Sequence, residues 1–185
     1  DLLGVDFGNG RYLAVGGQKL VSSEDGRNWT VVTTWTVPVN GVTFADGRFV
    51  VTGDASHVFY STDGLEWFGG AQNGIHAPAP LRDVAYDPGS QLWVAVGDSS
   101  EFTIAPDETE DMTQLFLSPD GIAWSRVLAP ETTGDEFFDG NMRAVSFGNG
   151  TFRAFGEGRL AYDVATELWR VVSTGGFTVN ASLFT

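Results

Sequence analysis

The chain has 185 residues, a formal net charge of −14 and a single lysine. This charge balance disfavours nucleic acids and anionic membranes as partners, because both are bound through basic surfaces. Cysteine is absent, which excludes disulfides, thiolate metal sites and a cysteine nucleophile. No apolar run reaches the roughly 18 residues of a membrane-spanning helix, so we expect no membrane insertion. The length fits one domain with a substantial core.

The first stretch of the chain, residues 3–34, is typical of four short β-strands. Its β-branched and aromatic runs are separated by Gly, Asn and Asp turns, and no window has the apolar spacing of a helix. We predict strands A to D at about 3–7, 11–16, 19–23 and 28–33. Between A and B, the segment FGNG (7–10) predicts a type I′ hairpin, because both central residues of that turn need positive φ.

The same strand order recurs three more times along the chain. GVDFGNGRYLAVG (4–16) aligns with GVTFADGRFVVTG (41–53), and weaker copies follow in the second half of the sequence. A repeat of about 40–45 residues made of four strands is the size of a propeller blade. We therefore predict one all-β domain over 1–185, a propeller-like array of four four-stranded antiparallel blades, either closed or part of a larger ring. The blades are assigned to about 3–34, 41–69, 82–128 and 143–172.

A second motif, Ser-x-Asp-Gly-x-x-Trp, joins strands C and D in the first three blades. Its members are Ser23, Asp25, Gly26 and Trp29, then Ser61, Asp63, Gly64 and Trp67, then Ser118, Asp120, Gly121 and Trp124. The Asp is expected to accept hydrogen bonds from N–H groups of its own turn, and the Gly to adopt a left-handed conformation. The fourth copy has Asp163, Ala165 and Thr166 in place of Ser, Asp and Gly, so its turn is expected to be rebuilt, but it keeps Trp169. We expect all four Trp side chains to be buried between blades.

This motif resembles the Asp-box, or BNR, repeat of the sialidase-like superfamily of β-propellers. The Gly directly after the Asp makes it similar to the non-catalytic bacterial BNR repeats. The resemblance implies a propeller, with Asp boxes that lie away from the functional surface. It also implies an extracellular, periplasmic or cell-surface location.

The insertions of the repeat define the expected functional face. In a four-stranded blade the A–B and C–D turns lie at one end, and the B–C and D–A connections lie at the other. The length variation falls on the second end, in connectors 34–40, 70–81 and 129–141 and in one long B–C loop, 98–112. Insertions gathered on one face of a repeat scaffold are typical of a binding surface.

This face is strongly acidic around the third and fourth blades. If the acidic residues bind Ca²⁺, which prefers six to eight oxygen ligands, seven side chains are the candidate ligands. They are Asp107, Glu108, Glu110, Asp111, Asp135, Glu136 and Asp139. The alternative is that they are solvated acids that keep the protein soluble. Their spacing matches no EF-hand loop.

Six further residues on the same face are candidate ligand contacts. The aromatic ones offer flat faces for a sugar ring or a peptide, and the two arginines begin strand A of blades three and four. The candidates are Trp35, Arg82, Phe102, Phe137, Phe138 and Arg143. The aromatic residues are alternatively explained as covers for exposed blade edges.

Catalytic constellations are poorly represented in the sequence. A sialidase site needs three arginines and a tyrosine nucleophile, but only Arg82 and Arg143 lie at the right end, and the tyrosines fall in core or turn positions. A two-carboxylate glycoside hydrolase is the third-ranked function, because the separation of the acids is not given by sequence. We favour a non-enzymatic, extracytoplasmic binding module for a glycan or protein on loops 98–112 and 129–141.

The second-ranked function is a structural subunit that self-associates through its terminal strands. Residues 176–185 alternate apolar Phe177, Val179, Ala181 and Leu183 with polar residues, which predicts one more strand. It would pair with a sheet edge of this chain or of another, because unpaired edges promote association.

Overall fold

The computed structural model describes residues 1–73, 78–105, 108–132 and 137–174. Within these ranges the chain forms seventeen β-strands and no helix. Blade 1 contains β1 (Gly4–Gly8), β2 (Arg11–Gly16), β3 (Lys19–Ser23) and β4 (Thr30–Thr34). Blade 2 contains β5 (Val39–Ala45), β6 (Arg48–Gly53), β7 (Val58–Ser61) and β8 (Phe68–Gly69).

The second half of the chain builds two more blades of the same kind. A short strand, β9 (Ala71–Asn73), precedes them. Blade 3 contains β10 (Leu81–Asp87), β11 (Leu92–Ala105), β12 (Glu108–Ser118) and β13 (Ala123–Val127). Blade 4 contains β14 (Met142–Gly148), β15 (Thr151–Gly156), β16 (Arg159–Asp163) and β17 (Leu168–Ser173).

Each blade is an antiparallel meander whose strands pair in chain order. The first strands of the blades, β1, β5, β10 and β14, pack against one another in succession and form the inner side of the array. The predicted all-β architecture of four four-stranded antiparallel blades is confirmed. One addition was not predicted: β9 pairs in parallel with β13, so the chain leaving blade 2 adds a strand to the outer edge of blade 3.

The tight turns have the backbone conformation that their sequences predict. Asn9 and Gly10 have φ of 50° and 76°, and the Asp-Gly and Asn-Gly pairs of blades 2 and 4 are also both positive, as a type I′ turn requires. In the Ser-x-Asp-Gly turns the Asp25 carboxylate accepts the N–H groups of Arg27 and Asn28, both at 2.8 Å. Asp63 and Asp120 accept the corresponding N–H groups of their turns.

The fourth turn is rebuilt around a different carboxylate. Asp163 accepts the N–H groups of Ala165 and Thr166, and the positive φ moves to Glu167, at 55°. Asp87 makes a similar turn in blade 3, where it accepts the N–H of Gly89 and the following Gln91 has φ of 56°. In blade 4 an Asp at the start of the turn therefore replaces the geometry of the lost Ser-x-Asp-Gly motif, whereas in blade 3 such a turn joins the first two strands.

The core lies between the blades and consists of three apolar clusters. Each cluster lies between two consecutive blades. It is formed by the side of the earlier blade that faces the later one and the side of the later blade that faces back. Leu13, Val15 and Leu20 of blade 1 meet Val42 and Phe49 of blade 2. Equivalent clusters join blades 2 and 3 and blades 3 and 4. The described part of the chain contains no such cluster between blades 4 and 1.

The expected burial of all four Asp-box tryptophans is wrong for one of them. Trp124 is fully buried, and Trp67 and Trp169 are partly buried against the clusters, but Trp29 is 39% exposed. Each of these residues lies on the side of its blade that faces the preceding blade. Trp29 is exposed because no described blade precedes blade 1.

The prediction of a long B–C loop at 98–112 is also wrong. In the structure β11 and β12 continue through this region as a two-stranded ribbon, with Ser99 opposite Thr113 and Glu101 opposite Asp111. The segments EFTIA and ETEDMTQ carry enough Thr, Ile and Phe to extend as strands despite their charge. The predicted C-terminal strand at 176–185 lies outside the described residues and stays a prediction.

Candidate functional site

The ribbon of blade 3 extends beyond the sheet and carries predicted site residues. Glu101 and Asp111 are directly opposite each other, as are Phe102 and Glu110. Like charges in opposite positions of a sheet repel each other. The exposed end of the ribbon therefore has carboxylates whose repulsion a bound cation would relieve.

Arg126 holds the base of the ribbon. Its side chain extends from β13, and its guanidinium donates to the carbonyl oxygens of Ser100 and Met112, both at 3.2 Å. The residue is only 9% exposed, and burial lowers the pKa of its guanidinium to about 10. These contacts join both strands of the ribbon to the outer strand of the blade.

The connector at 129–141 is fixed against the ribbon by its backbone. The Thr113 N–H donates to the carbonyl of Phe138 at 2.9 Å, and the Thr113 hydroxyl donates to the carbonyl of Gly140. The Phe138 N–H donates to the carbonyl oxygen of Pro130, and an isolated antiparallel β-bridge pairs Glu131 with Phe137. The connector is thereby closed into a loop whose position depends on β12.

The two adjacent phenylalanines of this connector have different environments. Phe138 is 4% exposed and packs in the cluster between blades 3 and 4, so it offers no surface to a ligand. Successive side chains of an extended segment point to opposite sides. Phe137 is partly exposed and lines the surface beside the ribbon. Both rings contact the same cluster, but only Phe137 keeps an exposed surface.

An acidic groove of about 340 Å³ lies between the ribbon and the connector. Its lining residues are Glu110, Asp111, Thr132, Phe137 and Asp139. Four of them belong to the residues that the sequence singles out. The structure therefore brings the two acidic segments together around one aromatic ring.

A second cavity, of about 290 Å³, adjoins the first at Phe137. It lies between the outer strands of blades 3 and 4, and its lining includes Leu128, Leu168 and Trp169. Leu128 is 51% exposed and Leu168 is 66% exposed. The acidic groove thus continues into an apolar cleft, with Phe137 at their junction.

The proposed calcium ligands are only partly described. Asp107, Asp135 and Glu136 lie outside the described residues, and Glu108 is exposed at the end of the ribbon, where it does not line the groove. Among the residues that are described, no three acidic or histidine side chains are close enough to hold a metal ion.

The two predicted arginines meet near the inner strands. Arg82 and Arg143 both donate to the Asp98 carboxylate, each with one bond of 3.1 Å, and Arg82 forms a second, shorter bond. Asp54 lies 4.0 Å from Arg82. The hydrogen bond to Asp98 raises the pKa of Arg82 above its ordinary value. Because each arginine already contacts a carboxylate, the pair is a structural clamp between blades 3 and 4.

Trp35 packs inside the fold rather than beside the groove. Its ring is stacked on Phe59 with centroids 4.8 Å apart and meets Trp67 edge-on at 5.6 Å. It is partly buried against the cluster of blades 1 and 2. Phe102 lies on β11 in the ribbon, and its side chain is not among those described.

Sequence reasoning missed the polar groups that support the site. The Ser56 hydroxyl donates to the Gln114 amide oxygen at 2.7 Å, and the Gln114 amide donates to Ser100 at 3.0 Å. The Asn141 amide oxygen accepts the N–H of Ser99, and its NH₂ donates to Glu157. These bonds join the turns of blades 2 and 4 to the base of the ribbon. The sequence gives no signal for Gln114, because it lies among other polar residues of β12, ETEDMTQLFLS.

Comparisons with known proteins show the fold. No family model matches the chain, and no curated protein matches it. A solved structure of YCF48 bound to D1 peptide is 15% identical, with a TM-score of 0.52, and the match covers 90% of this chain and 50% of that one. YCF48 from Cyanidioschyzon merolae is 20% identical, with a TM-score of 0.55, covering 93% and 56%.

A third similar structure is the extracellular domain of the hybrid two-component system BT4673 from B. thetaiotaomicron. It is 12% identical, with a TM-score of 0.65, and the match covers 97% of this chain and 24% of that one. The chain thus spans about half the length of the first two structures that it matches. These likenesses place the chain among proteins with a β-propeller-like fold. In the described ranges there is no helix long and apolar enough to cross a membrane.

Proposed function

We propose that this chain is a non-enzymatic binding module for a protein segment that carries both basic and apolar side chains. The segment binds along the acidic groove and the adjoining apolar cleft of blades 3 and 4. The observation that carries the proposal is the junction of the two cavities at Phe137.

Charge favours a basic ligand in the first cavity. Glu110, Asp111 and Asp139 line it, and no basic residue does. The opposed Glu101 and Asp111 add repulsion within the ribbon. A lysine or arginine side chain in the groove would offset that repulsion, and the overall charge of −14 would speed its approach.

Apolar surface favours a protein segment over a neutral glycan. Leu128 and Leu168 are more than half exposed, and together with Trp169 and Phe137 they line the cleft. Contact with exposed aliphatic and aromatic side chains stabilises a complex by removing apolar area from water. An extended peptide with alternating side chains can use both cavities, whereas a sugar would use mainly the ring of Phe137.

Hydrogen bonds hold the described segments that line the groove, and such support lowers the entropic cost of binding. Arg126 fixes the base of the ribbon, and Thr113 fixes the connector through two hydrogen bonds. A site that is ordered before binding loses less conformational freedom when it is occupied. The similar YCF48 structure was solved with D1 peptide, which agrees with a propeller that binds peptides. An extracytoplasmic location is part of the proposal and agrees with the similarity to an extracellular domain.

Fluorescence anisotropy with a labelled ten-residue peptide of alternating lysine and leucine tests the proposal. The double variant Glu110→Gln/Asp111→Asn should weaken binding by about two- to fivefold per acid, the range of exposed ion pairs. Phe137→Ala should weaken it by about tenfold or more, as expected for an aromatic anchor. Glu24→Gln/Glu66→Gln, at exposed acids of the C–D turns of blades 1 and 2, removes the same two charges and is the charge-matched control, which should have no effect.

Two comparison peptides separate charge from apolar contact. A peptide of alternating glutamate and leucine should not bind, and one of alternating lysine and serine should bind more weakly. Equal binding of all three peptides, or equal affinity of all variants, contradicts the proposal. Displacement of the peptide by a neutral oligosaccharide through Phe137 would instead assign the face to a glycan.

A further inference from the structure

A groove with polar walls lies between blade 1 and the C–D turn of blade 2. We name it the polar groove, and its volume is about 700 Å³. Its lining includes Arg11, Ser22, Asp25, Thr30, Val32 and Leu65. These residues are distinct from those that line the acidic groove and the apolar cleft of blades 3 and 4.

The strand register places three polar side chains on the side of blade 1 that faces blade 2. Ser22 is opposite Leu13, which belongs to the cluster between these two blades, and Thr30 is opposite Ser22. Arg11 precedes Leu13 by two residues in β2, so its side chain lies on the same side of the sheet. Polar groups therefore continue this side of the blade beyond the apolar core.

Large side chains occupy the same repeat positions in the next two blades. The counterparts of Ser22 and Thr30 in blade 2 are Tyr60 and Phe68, which are opposite each other with ring centroids 5.6 Å apart. In blade 3 the counterpart of Ser22 is Leu117, which lines the apolar cleft. The polar groove therefore results from two small hydroxyl side chains and not from the repeat itself.

Two polar groups of the groove lack a partner in the part of the chain that the structure describes. Ser22 is only 7% exposed, yet its hydroxyl forms no hydrogen bond with a described group. Arg11 packs its aliphatic stem against the turn of blade 2, where a Cβ on Gly64 would lie 3.0 Å from its Cδ. Its guanidinium forms no ion pair or hydrogen bond with a described group. A buried polar group of this kind destabilises the fold unless a ligand or water binds it.

The C–D turn of blade 1 adds carboxylates to the groove. The Asp25 carboxylate is held in place by two N–H groups of its turn and by the Asn28 amide, which donates at 2.7 Å. Glu24, which is exposed, also lines the groove. Arg11 repels a cationic ligand, whereas the two carboxylates and the net charge of −14 repel an anionic one. The charges therefore favour a neutral ligand whose polar groups both donate and accept.

Saccharide hydroxyls have this combination of properties. Each hydroxyl can accept a hydrogen bond from Arg11 or Ser22 and donate one to Asp25. Val32 and Leu65 offer apolar contact to the C–H groups of a sugar ring. The volume of the groove also lies within the range of roughly 300–1,000 Å³ that is typical of small-molecule sites.

We propose that the polar groove is a second binding site, which takes a short neutral oligosaccharide. The Arg11 guanidinium and the Ser22 hydroxyl bind the sugar ring that enters furthest, and the Asp25 carboxylate accepts one of its hydroxyl groups. This site is independent of the proposed peptide site, because the two lie at different blade junctions.

Isothermal titration calorimetry with maltotriose, cellotriose and chitotriose tests the proposal. At least one of these neutral sugars should bind the 185-residue chain with a Kd in the millimolar range or below. Arg11→Gln should weaken that binding by about tenfold or more, because it removes hydrogen bonds from a charged donor. Ser22→Ala should weaken it by about two- to tenfold, the range for one neutral hydrogen bond.

A variant that fills the groove gives a sharper test. Ser22→Tyr/Thr30→Phe introduces the pair that blade 2 has as Tyr60 and Phe68, and it should abolish sugar binding. The matched control is Ser125→Phe, at the position of Thr30 in blade 3, which should bind the sugar like the parent.

Three results would overturn the proposal. The first is the absence of binding for all three neutral sugars at millimolar concentration. The second is an unchanged affinity in both Arg11→Gln and Ser22→Ala, which would place the sugar elsewhere on the chain. The third is tighter binding of trigalacturonate than of any neutral sugar, which would assign the groove to an anion.

Discussion

Trp29 and Trp124 occupy the same position of the repeat but contribute differently to the fold. Trp124 is fully buried in the cluster between blades 2 and 3, and Trp29 is 39% exposed beside Tyr12. The local sequence around each is the same Asp box. The difference therefore comes from the neighbouring blade and not from the motif.

This difference predicts unequal effects of truncation. Trp124→Ala should lower the free energy of unfolding by about 3–5 kcal/mol, because it leaves a cavity in a packed core. Trp29→Ala should lower it by only about 1–2 kcal/mol, since part of that ring remains in water in the folded state. Urea unfolding followed by Tyr and Trp fluorescence measures both. Equal losses would show that Trp29 is buried in solution.

Asp83 is a carboxylic acid whose ionisation the fold opposes. Its carboxylate accepts the N–H of Val84 and, from the next blade, the N–H of Val145, both at 2.9 Å. Burial nevertheless raises its pKa to about 6, from an ordinary value of 3.8. Asp25 has the opposite behaviour, because the N–H groups of Asn28 and Arg27 lower the pKa of its carboxylate.

The two kinds of carboxylate predict opposite pH effects on stability. Between about pH 4 and 6 the folded chain keeps the Asp83 proton that the unfolded chain releases, so the Asp83 contribution falls as pH rises. Asp25 contributes above its unfolded pKa, and that contribution is lost as pH falls below about 4. Asp83→Asn should remove the decline between pH 4 and 6, with Asp25→Asn as the comparison. An unchanged profile in Asp83→Asn would contradict the assignment.

At the scale of elements, the ribbon of β11 and β12 is the main departure from the repeat. Ribbon strands continue a regular hairpin, so they carry the acidic residues on ordered backbone rather than on a free loop. Arg126 and Gln114 hold its base through hydrogen bonds to both strands or to their side chains. This support explains why a strongly charged segment stays next to the connector.

Calcium binding at this element remains a prediction. If the ligands of Ca²⁺ come from the seven predicted acids, calcium should raise the Tm, because a ligand of the folded state alone stabilises it. These acids are Asp107, Glu108, Glu110, Asp111, Asp135, Glu136 and Asp139. Thermal unfolding in millimolar CaCl₂ and in excess chelator measures the effect, with MgCl₂ as the control ion. Identical melting curves would contradict calcium binding. The acids would then be solvated side chains that keep the protein soluble and contact a basic ligand.

At the scale of the whole molecule, the array has two unlike ends. Blade 1 presents Val5, Phe7 and Tyr12, whereas blade 4 presents the exposed Arg153 and Arg170. The blade 4 end also exposes Leu168 at 66% and Val172 at 54%, so its outer face is mixed, whereas that of blade 1 is mainly apolar.

The last prediction concerns the C-terminal residues 176–185. We expect residues 176–185 to form a strand on a sheet edge, because their apolar and polar side chains alternate. Hydrogen exchange of the full chain should show slow amides there, and deletion of 175–185 should speed exchange in the strand that it covers. Fast exchange across 176–185 would contradict the pairing. Light scattering of the deleted chain shows whether the run also joins two molecules.

Much of the fold follows from the sequence because its signals are local. Asn-Gly and Asp-Gly pairs determine the hairpins, and the Asp boxes close their turns with hydrogen bonds two and three residues away. Period-two apolar patterns then give strands such as β2 and β3 at the predicted residues. Repetition of these signals was enough to predict four blades and the face that carries the insertions.

The candidate site needed the tertiary structure. The sequence predicts acids and aromatics on one face, but only packing decides that Phe138 is buried while Phe137 meets Glu110 and Asp139 in one groove. Likewise the sequence places Arg82 and Arg143 on this face, but only the structure shows that both donate to Asp98. The sequence also does not determine the exposure of Tyr12, because the side chains at the same repeat position in the other blades are buried although the motif is the same. Local chemistry determines turns and strands, whereas contacts between distant segments decide which side chains remain available to a partner.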